Sequence, residues 1–166
     1  FSHDGKKIPT ASFDGTARLW DVATGAALKR FRMKNRGDLC ISAAFSPDDT
    51  LIATGSSDHL IRVFDARSGE VVKILSGHAS IVQSVTFSPD GKILASVSGS
   101  RRSNPDEDAA VRLWSTATWE PLAVLDGHRF ATWSVAFSPD GGRIASASSD
   151  GTARLWNTRL AVLAAG

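Results

Sequence analysis

The sequence predicts an all-β fold made of one sheet motif used repeatedly, and three observations carry that expectation. First, the stretch Phe137-Ser-Pro-Asp-Gly-Gly-Arg-Ile-Ala-Ser-Ala-Ser-Ser-Asp-Gly-Thr-Ala-Arg-Leu-Trp156 reads as three β-favouring runs separated by a Pro-Asp-Gly and an Asp-Gly turn. Asp-Gly supplies the positive φ that short hairpins need, so the runs are read as three antiparallel strands. Second, the chain repeats this pattern four times. Third, no segment carries a sustained 3.6-residue apolar stripe, whereas Ile81–Phe87 is apolar at both parities, as expected of a strand covered on both faces.

The repeat stands in two independent registers. Phe-Ser anchors fall at Phe1, Phe45, Phe87 and Phe137, with spacings of 44, 42 and 50 residues. The third run recurs as Ala17-Arg-Leu-Trp20, Ile61-Arg-Val-Phe64, Val111-Arg-Leu-Trp114 and Ala153-Arg-Leu-Trp156, each with an Asp (Asp14, Asp58, Asp108, Asp150) six residues before its aromatic. These spacings, the Ser-Pro-Asp turns, Gly77-His78, Gly127-His128 and Trp20-Asp21 together resemble the WD40-repeat family over essentially the whole chain.

The resemblance implies β-propeller blades, four repeats of a four-stranded antiparallel sheet around a central channel. Blade 1 spans about residues 1–32 and lacks most of its inner strand; blades 2, 3 and 4 span about 33–75, 76–125 and 126–166. The strands of blade 2 are expected near 39–45, 50–55, 60–65 and 71–75. Those of blade 3 are expected near 81–87, 92–97, 110–115 and 121–125, and those of blade 4 near 131–137, 142–147, 152–157 and 160–164. The eight extra residues of blade 3 fall in a polar, Pro-containing insertion at 99–107, read as a loop. Four blades leave edges open at both ends, and open edges recruit strands. Three arrangements stay open, a fragment of a larger propeller, two copies closing an eight-bladed ring and a four-bladed ring; the expectation is a fragment that self-associates through those edges.

Composition narrows the function classes. A net charge of +2 gives no electrostatic case for a nucleic-acid or membrane partner, and no run is long and apolar enough to span a bilayer. Cys40 is the single cysteine, so there is no internal disulfide and no cysteine-based zinc cluster, in keeping with an intracellular, cytoplasmic setting. The four histidines show no metal-ligand spacing, and no phosphate-binding glycine loop occurs, so neither metal nor cofactor is expected. Arg36-Gly37-Asp38 is read as a chance tripeptide in this setting.

His78, Ser96 and Asp108, and again His128, Ser146 and Asp150, have the residue types of a hydrolase triad. No nucleophile elbow accompanies them, and an enzyme has no use for the set twice, so the chain is not read as an enzyme. The family resemblance implies instead a structural hydrogen-bond tetrad in each blade: His78, Ser96, Asp108 and Trp114, then His128, Ser146, Asp150 and Trp156. Blades 1 and 2 keep partial sets, Thr10, Asp14 and Trp20, then Thr54, Asp58 and Phe64, with Arg36 near the missing His position. On motif content the first half of the chain is therefore the less stable half. Trp119 replaces the Gly of a turn and is either an exposed contact or packed on a neighbouring turn.

By the same resemblance, partners bind on the face formed by the loops before the first strand and between the second and third. Ile41, Gln83 and Trp133 are implied there at one position per blade, and Phe13, Ser57, Glu107 and Ser149 at another. Arg101 and Arg102 of the insertion stand beside them, and the aromatics Trp133 and Phe13 are the natural anchors. The implied function is a non-catalytic protein–protein interaction scaffold for a protein or peptide. Two alternatives stay open: a sensor or regulatory segment of a larger signalling protein (kinase or NTPase-linked), and a self-associating structural module.

Overall fold

The computed structural model describes residues 1–33, 35, 37–100 and 108–159. They form four antiparallel sheets, each a meander in chain order. Blade 1 holds β1 (Lys7–Ser12), β2 (Thr16–Asp21) and β3 (Ala27–Arg32). Blade 2 holds β4 (Cys40–Phe45), β5 (Leu51–Ser56), β6 (Ile61–Asp65) and β7 (Val71–Leu75). Blade 3 holds β8 (Val82–Phe87), β9 (Ile93–Ser98), β10 (Val111–Ser115) and β11 (Pro121–Leu125). Blade 4 holds β12 (Thr132–Phe137), β13 (Arg143–Ser148) and β14 (Ala153–Asn157). The expected strands agree with these within one residue at each end. The strand expected near 160–164 and the segment 101–107 of the insertion lie outside the described residues.

Four Ser-x-Asp turns close the bottom of the blades alike. Ser2, Ser46, Ser88 and Ser138 donate their hydroxyls to Asp4, Asp48, Asp90 and Asp140 over 2.5–2.7 Å. These are side-chain-to-side-chain locks on the turn, and they explain why Ser and Asp recur at fixed spacing. Among the described residues three non-glycines have positive φ: Asp49 (59°), His59 (70°) and Trp119 (62°). Each stands where other repeats place a glycine, at Gly91 and Gly141, at Gly15 and Gly151, and at Gly25 and Gly69. The fold dictates the left-handed backbone there whichever residue occupies it. Asp49 puts its side chain to use, both carboxylate oxygens accepting from the His3 amide at 2.8 and 2.9 Å, which pins the start of blade 1 to blade 2.

The sheets stack face to face, and each has two kinds of face. The leading face, which carries the aromatic of the third strand, packs on the preceding blade; the trailing face packs on the following one. Between blades 2 and 3, Leu94, Val85, Phe87 and Trp114 press on Ala53, Ile61, Val63 and Leu75. Between blades 3 and 4, Val135, Ile144 and the half-buried Trp156 press on Ala95, Val97, Val111 and Leu113. Between blades 1 and 2, Ile52 and Phe64 meet Ala17, Leu19 and Phe31, the two Phe rings 5.1 Å apart. Trp119 belongs to this packing: it lies against the blade 2–blade 3 cluster and is not an exposed contact. Cys40 is buried in the first interface, which pushes its thiol up to about 11 and leaves it a core side chain.

Candidate binding face

Blades 3 and 4 carry the same hydrogen-bond chain behind the upper end of the stack. The Gly-His turns at 77–78 and 127–128 bring each imidazole over the sheet that follows. His78 Nδ1 lies 2.9 Å from Asp108 Oδ2 and its Nε2 lies 2.7 Å from Ser96 Oγ, which also accepts from Trp114 Nε1 at 2.8 Å. The corresponding distances in blade 4, His128 to Asp150 and to Ser146 and Trp156 to Ser146, are 2.9, 2.8 and 2.9 Å. With Nδ1–H donating to the carboxylate, Nε2 is left to accept from the serine hydroxyl, so a neutral imidazole satisfies every group in the chain. Burial pushes His78 below the usual histidine range, outweighing the pull of Asp108. Burial opposes the charge on Asp108 as well, but the His78 hydrogen bond, the Ala79 amide and Arg112 hold it well below the usual carboxylate range. Asp150 is also held low, first by the Thr152 hydroxyl and then by His128 and the Arg129 amide.

This geometry suits support rather than nucleophilic chemistry. Ser96 is fully buried and Ser146 nearly so, and each hydroxyl oxygen is committed to a tryptophan and an imidazole. Among the described residues no group of His, Cys, Asp and Glu is placed to hold a metal ion.

Blades 1 and 2 solve the same problem differently. The missing histidine of blade 2 is replaced by Arg62, whose side chain is 3% exposed. Its guanidinium donates to Asp58 Oδ2 at 2.5 Å and to Ser56 Oγ at 2.9 Å, and it touches Met33 Sδ at 3.7 Å. Burial works against Asp58, but Arg62 and Ser56 keep it ionised below the usual range. Thr54 is not part of this network; its hydroxyl donates only to the Arg62 carbonyl oxygen. In blade 1, Trp20 donates to Thr10 at 2.8 Å, while Asp14 pairs separately with Thr16 and Arg18, both at 2.6 Å, and is lowered to about 2, chiefly by the Thr16 hydroxyl. The partial sets are thus split in two in each blade. The clue to this lay in the arginine two residues before every third-strand aromatic, Arg18, Arg62, Arg112 and Arg154, which reaches the Asp four residues before it in blades 1, 2 and 3, in the first two without a His beside it. Arg36 lies outside the described residues.

At the upper end the inner strands converge on a cavity of about 490 Å³ lined by Phe13, Leu39, Ile41, Ile81, Gln83, Ser100 and Trp133. A β-bulge makes the convergence. The pairing of each inner strand with its neighbour slips between Cys40 and Ser42, between Val82 and Ser84, and between Thr132 and Ser134. The extra residue in each case is Ile41, Gln83 or Trp133, which leaves the sheet and turns into the cavity. Phe13, 71% exposed, lines the same cavity. Gln83 is held by donating Nε2 to the Gly99 carbonyl at 2.6 Å, and none of these described lining residues is charged.

Ser57 and Ser149 do not line the cavity. Each is hydrogen-bonded to the entry of its own inner strand, Ser57 accepting from the Leu39 amide at 2.8 Å and Ser149 donating to the Ala131 carbonyl at 3.2 Å. They position the wall from behind. Leu39, Ile81 and Ser100 were not read from the sequence as part of this face; Leu39 and Ile81 are recognisable two residues before the bulged positions. Arg101, Arg102 and Glu107 lie outside the described residues.

The family model for the WD domain, G-beta repeat, matches residues 33–65, 69–115 and 119–157. WD repeat and SOCS box-containing protein 1 of Takifugu rubripes is 35% identical over 103 residues, 61% of this chain and 24% of that protein. Human apoptotic protease-activating factor 1 is 35% identical over 106 residues, 59% of this chain and 8% of that protein. WD repeat-containing protein 82 of Drosophila melanogaster is 38% identical over 98 residues, 58% of this chain and 31% of that protein. The matched part of the chain thus amounts to less than a third of the length of each of these relatives.

Proposed function

The chain belongs to the WD40-repeat family, and from that premise we propose that it is a non-catalytic docking scaffold that holds a protein or peptide partner over the cavity lined by Phe13, Ile41, Gln83 and Trp133. The observation that carries this reading is the set of three bulges, which spend regular pairing to aim one side chain per blade at a single point. Two aromatics at the mouth supply rigid apolar anchors, and Gln83 supplies an oriented amide. The test is selection of peptides from a displayed library on the whole chain, followed by Trp133→Ala and Phe13→Ala. A loss of peptide binding of tenfold or more with thermal stability unchanged supports the reading. Peptides that bind both variants as tightly as the parent place the contact elsewhere and overturn it.

The match to a short part of a human apoptotic protease-activating factor favours a second reading, in which this scaffold serves as the regulatory segment of a larger signalling protein. Self-association through unpaired outer strand edges is a further part of the proposal, since such edges recruit strands.

A further inference from the structure

Of the three side chains that the bulges turn into the cavity, Gln83 alone carries a hydrogen-bonding amide; Ile41 is aliphatic and Trp133 aromatic. The wall behind it fixes which way that amide points. Nε2 lies 2.6 Å from the Gly99 carbonyl oxygen, which can only accept, so the nitrogen must face it and Oε1 is the atom left over. Among the described residues no donor meets that oxygen. Gly99 stands where blades 2 and 4 have Ser57 and Ser149, and the three amides close the same backbone bond, to Ile81, Leu39 and Ala131 in turn. The anchor is rigid. A Cβ on Gly99 would lie 2.3 Å from Ala131 Cβ, so its backbone is pressed against the entry to β12. Gln83 is therefore a fixed acceptor set among apolar neighbours.

Charge narrows what can enter. Phe13, Ile41 and Trp133 are neutral, and the turn carboxylates of the upper end are already engaged. Arg18 and Arg62 hold Asp14 and Asp58, and His78 and His128 hold Asp108 and Asp150. A guanidinium or ammonium entering here leaves water without a counter-ion, a loss that ring faces return only in part. A carboxylate meets the Gln83 oxygen instead of a cation. A wholly apolar guest covers Oε1 and leaves it unpaired. We infer that the docked residue of the partner is a neutral aromatic side chain with its own donor, tyrosine or tryptophan. Its ring lies beside Phe13 and Trp133, and its O–H or N–H donates to Gln83 Oε1. Gln83 is thus the specificity-determining residue of the face. This rests on the docking reading above and adds to it the chemistry of the residue that docks.

The experiment divides a displayed peptide library into six sublibraries, each with Tyr, Trp, Phe, Leu, Arg or Lys fixed at the centre of randomised flanks, and selects all six on the whole chain. The best Tyr peptide is resynthesised with Phe at that position, and both are titrated by calorimetry into the parent and into Gln83→Met, which keeps the side-chain length and lacks the amide. The Tyr and Trp sublibraries enrich most. The Phe peptide binds the parent about fivefold more weakly than the Tyr peptide, and the ratio falls to about one in Gln83→Met. Should that variant not fold, the parent ratio decides alone. Strongest enrichment of the Arg or Lys sublibrary overturns the neutral guest. A Phe peptide as tight as its Tyr parent, or a Tyr preference that survives in folded Gln83→Met, overturns the role of Gln83. Enrichment of no sublibrary overturns the docking reading itself, and this inference with it.

Discussion

Blade 2 has the poorer motif and the better core; blade 4 has the complete motif and half a core. In blade 2, without the histidine or the tryptophan, Ile52–Ser56 and Ile61–Phe64 are all buried. In blade 4, with the full His128-Ser146-Asp150-Trp156 chain at distances of 2.8–2.9 Å, only Ile144 and Ser146 of β13 are buried and none of β14 is. The difference teaches that the hydrogen-bond chain and the core have separate origins. The chain needs only its own blade and the turn before it. The core needs a neighbour on each side, and among the described residues blade 4 packs on blade 3 alone. Motif content ranks the second half of the molecule above the first, whereas burial ranks the interior blades above the end blades. Because apolar burial is the larger contribution to folding, the second ranking governs local stability.

Four measurements break or sharpen this contrast. The largest effect is Phe64→Ala in blade 2. It empties a side chain 2% exposed and costs about 3–5 kcal/mol in denaturant unfolding, whereas Leu155→Ala in blade 4 stays within about 0.5 kcal/mol when the chain is dilute and monomeric. Equal losses at the two sites erase the contrast. Next, Arg62→Met strands Asp58 in a nearly dry site and costs about 3 kcal/mol, and Asp58→Asn in the same molecule restores part of the loss. Additive losses mean that the two residues do not act as a pair.

Smaller is Ser96→Ala, which leaves Trp114 Nε1 unsatisfied and costs about 1–3 kcal/mol. Its acid counterpart is a pH profile. His78 is pushed below its unfolded value, so the folded state holds fewer protons, and stability is fully present above about pH 6.5 and falls as the pH drops below it. The depressed Asp108 adds a further loss below about pH 4. His78→Gln flattens the first of these two declines; a profile with the decline intact assigns it to another group. The smallest effect is His59→Gly, which relieves a positive φ on an exposed turn and stabilises by up to about 1 kcal/mol. Destabilisation there instead means that the imidazole makes a contact worth more than the strain.

Much of this was legible in the chain, for identifiable reasons. Asp-Gly and Ser-Pro-Asp turns are local chemistry, so strand positions followed within a residue. The tetrads of blades 3 and 4 were legible by resemblance, on a His and Ser 18 residues apart and an Asp and Trp six apart in both blades. Trp133, Gln83 and Ile41 were placed on a common face by resemblance alone, since a bulge leaves no mark in a run of apolar residues. The role of Arg62 was hidden because the same arginine stands in all four blades, and only burial and the lack of a His make it the main partner of Asp58. Trp119 was left between two readings because a turn residue with positive φ points wherever the adjacent blade gives it room, and here blade 2 gives it a cover.

The sequence by itself determined the repeat, the all-β class, the turn geometry and the hydrogen-bond chains, because each is fixed by residues close together in one blade or its preceding turn. The tertiary structure alone decided which faces are buried, which Asp is served by histidine and which by arginine, and where the bulged side chains meet. Those depend on the blade next door, and a repeat that writes the same face four times does not say which copies have a neighbour.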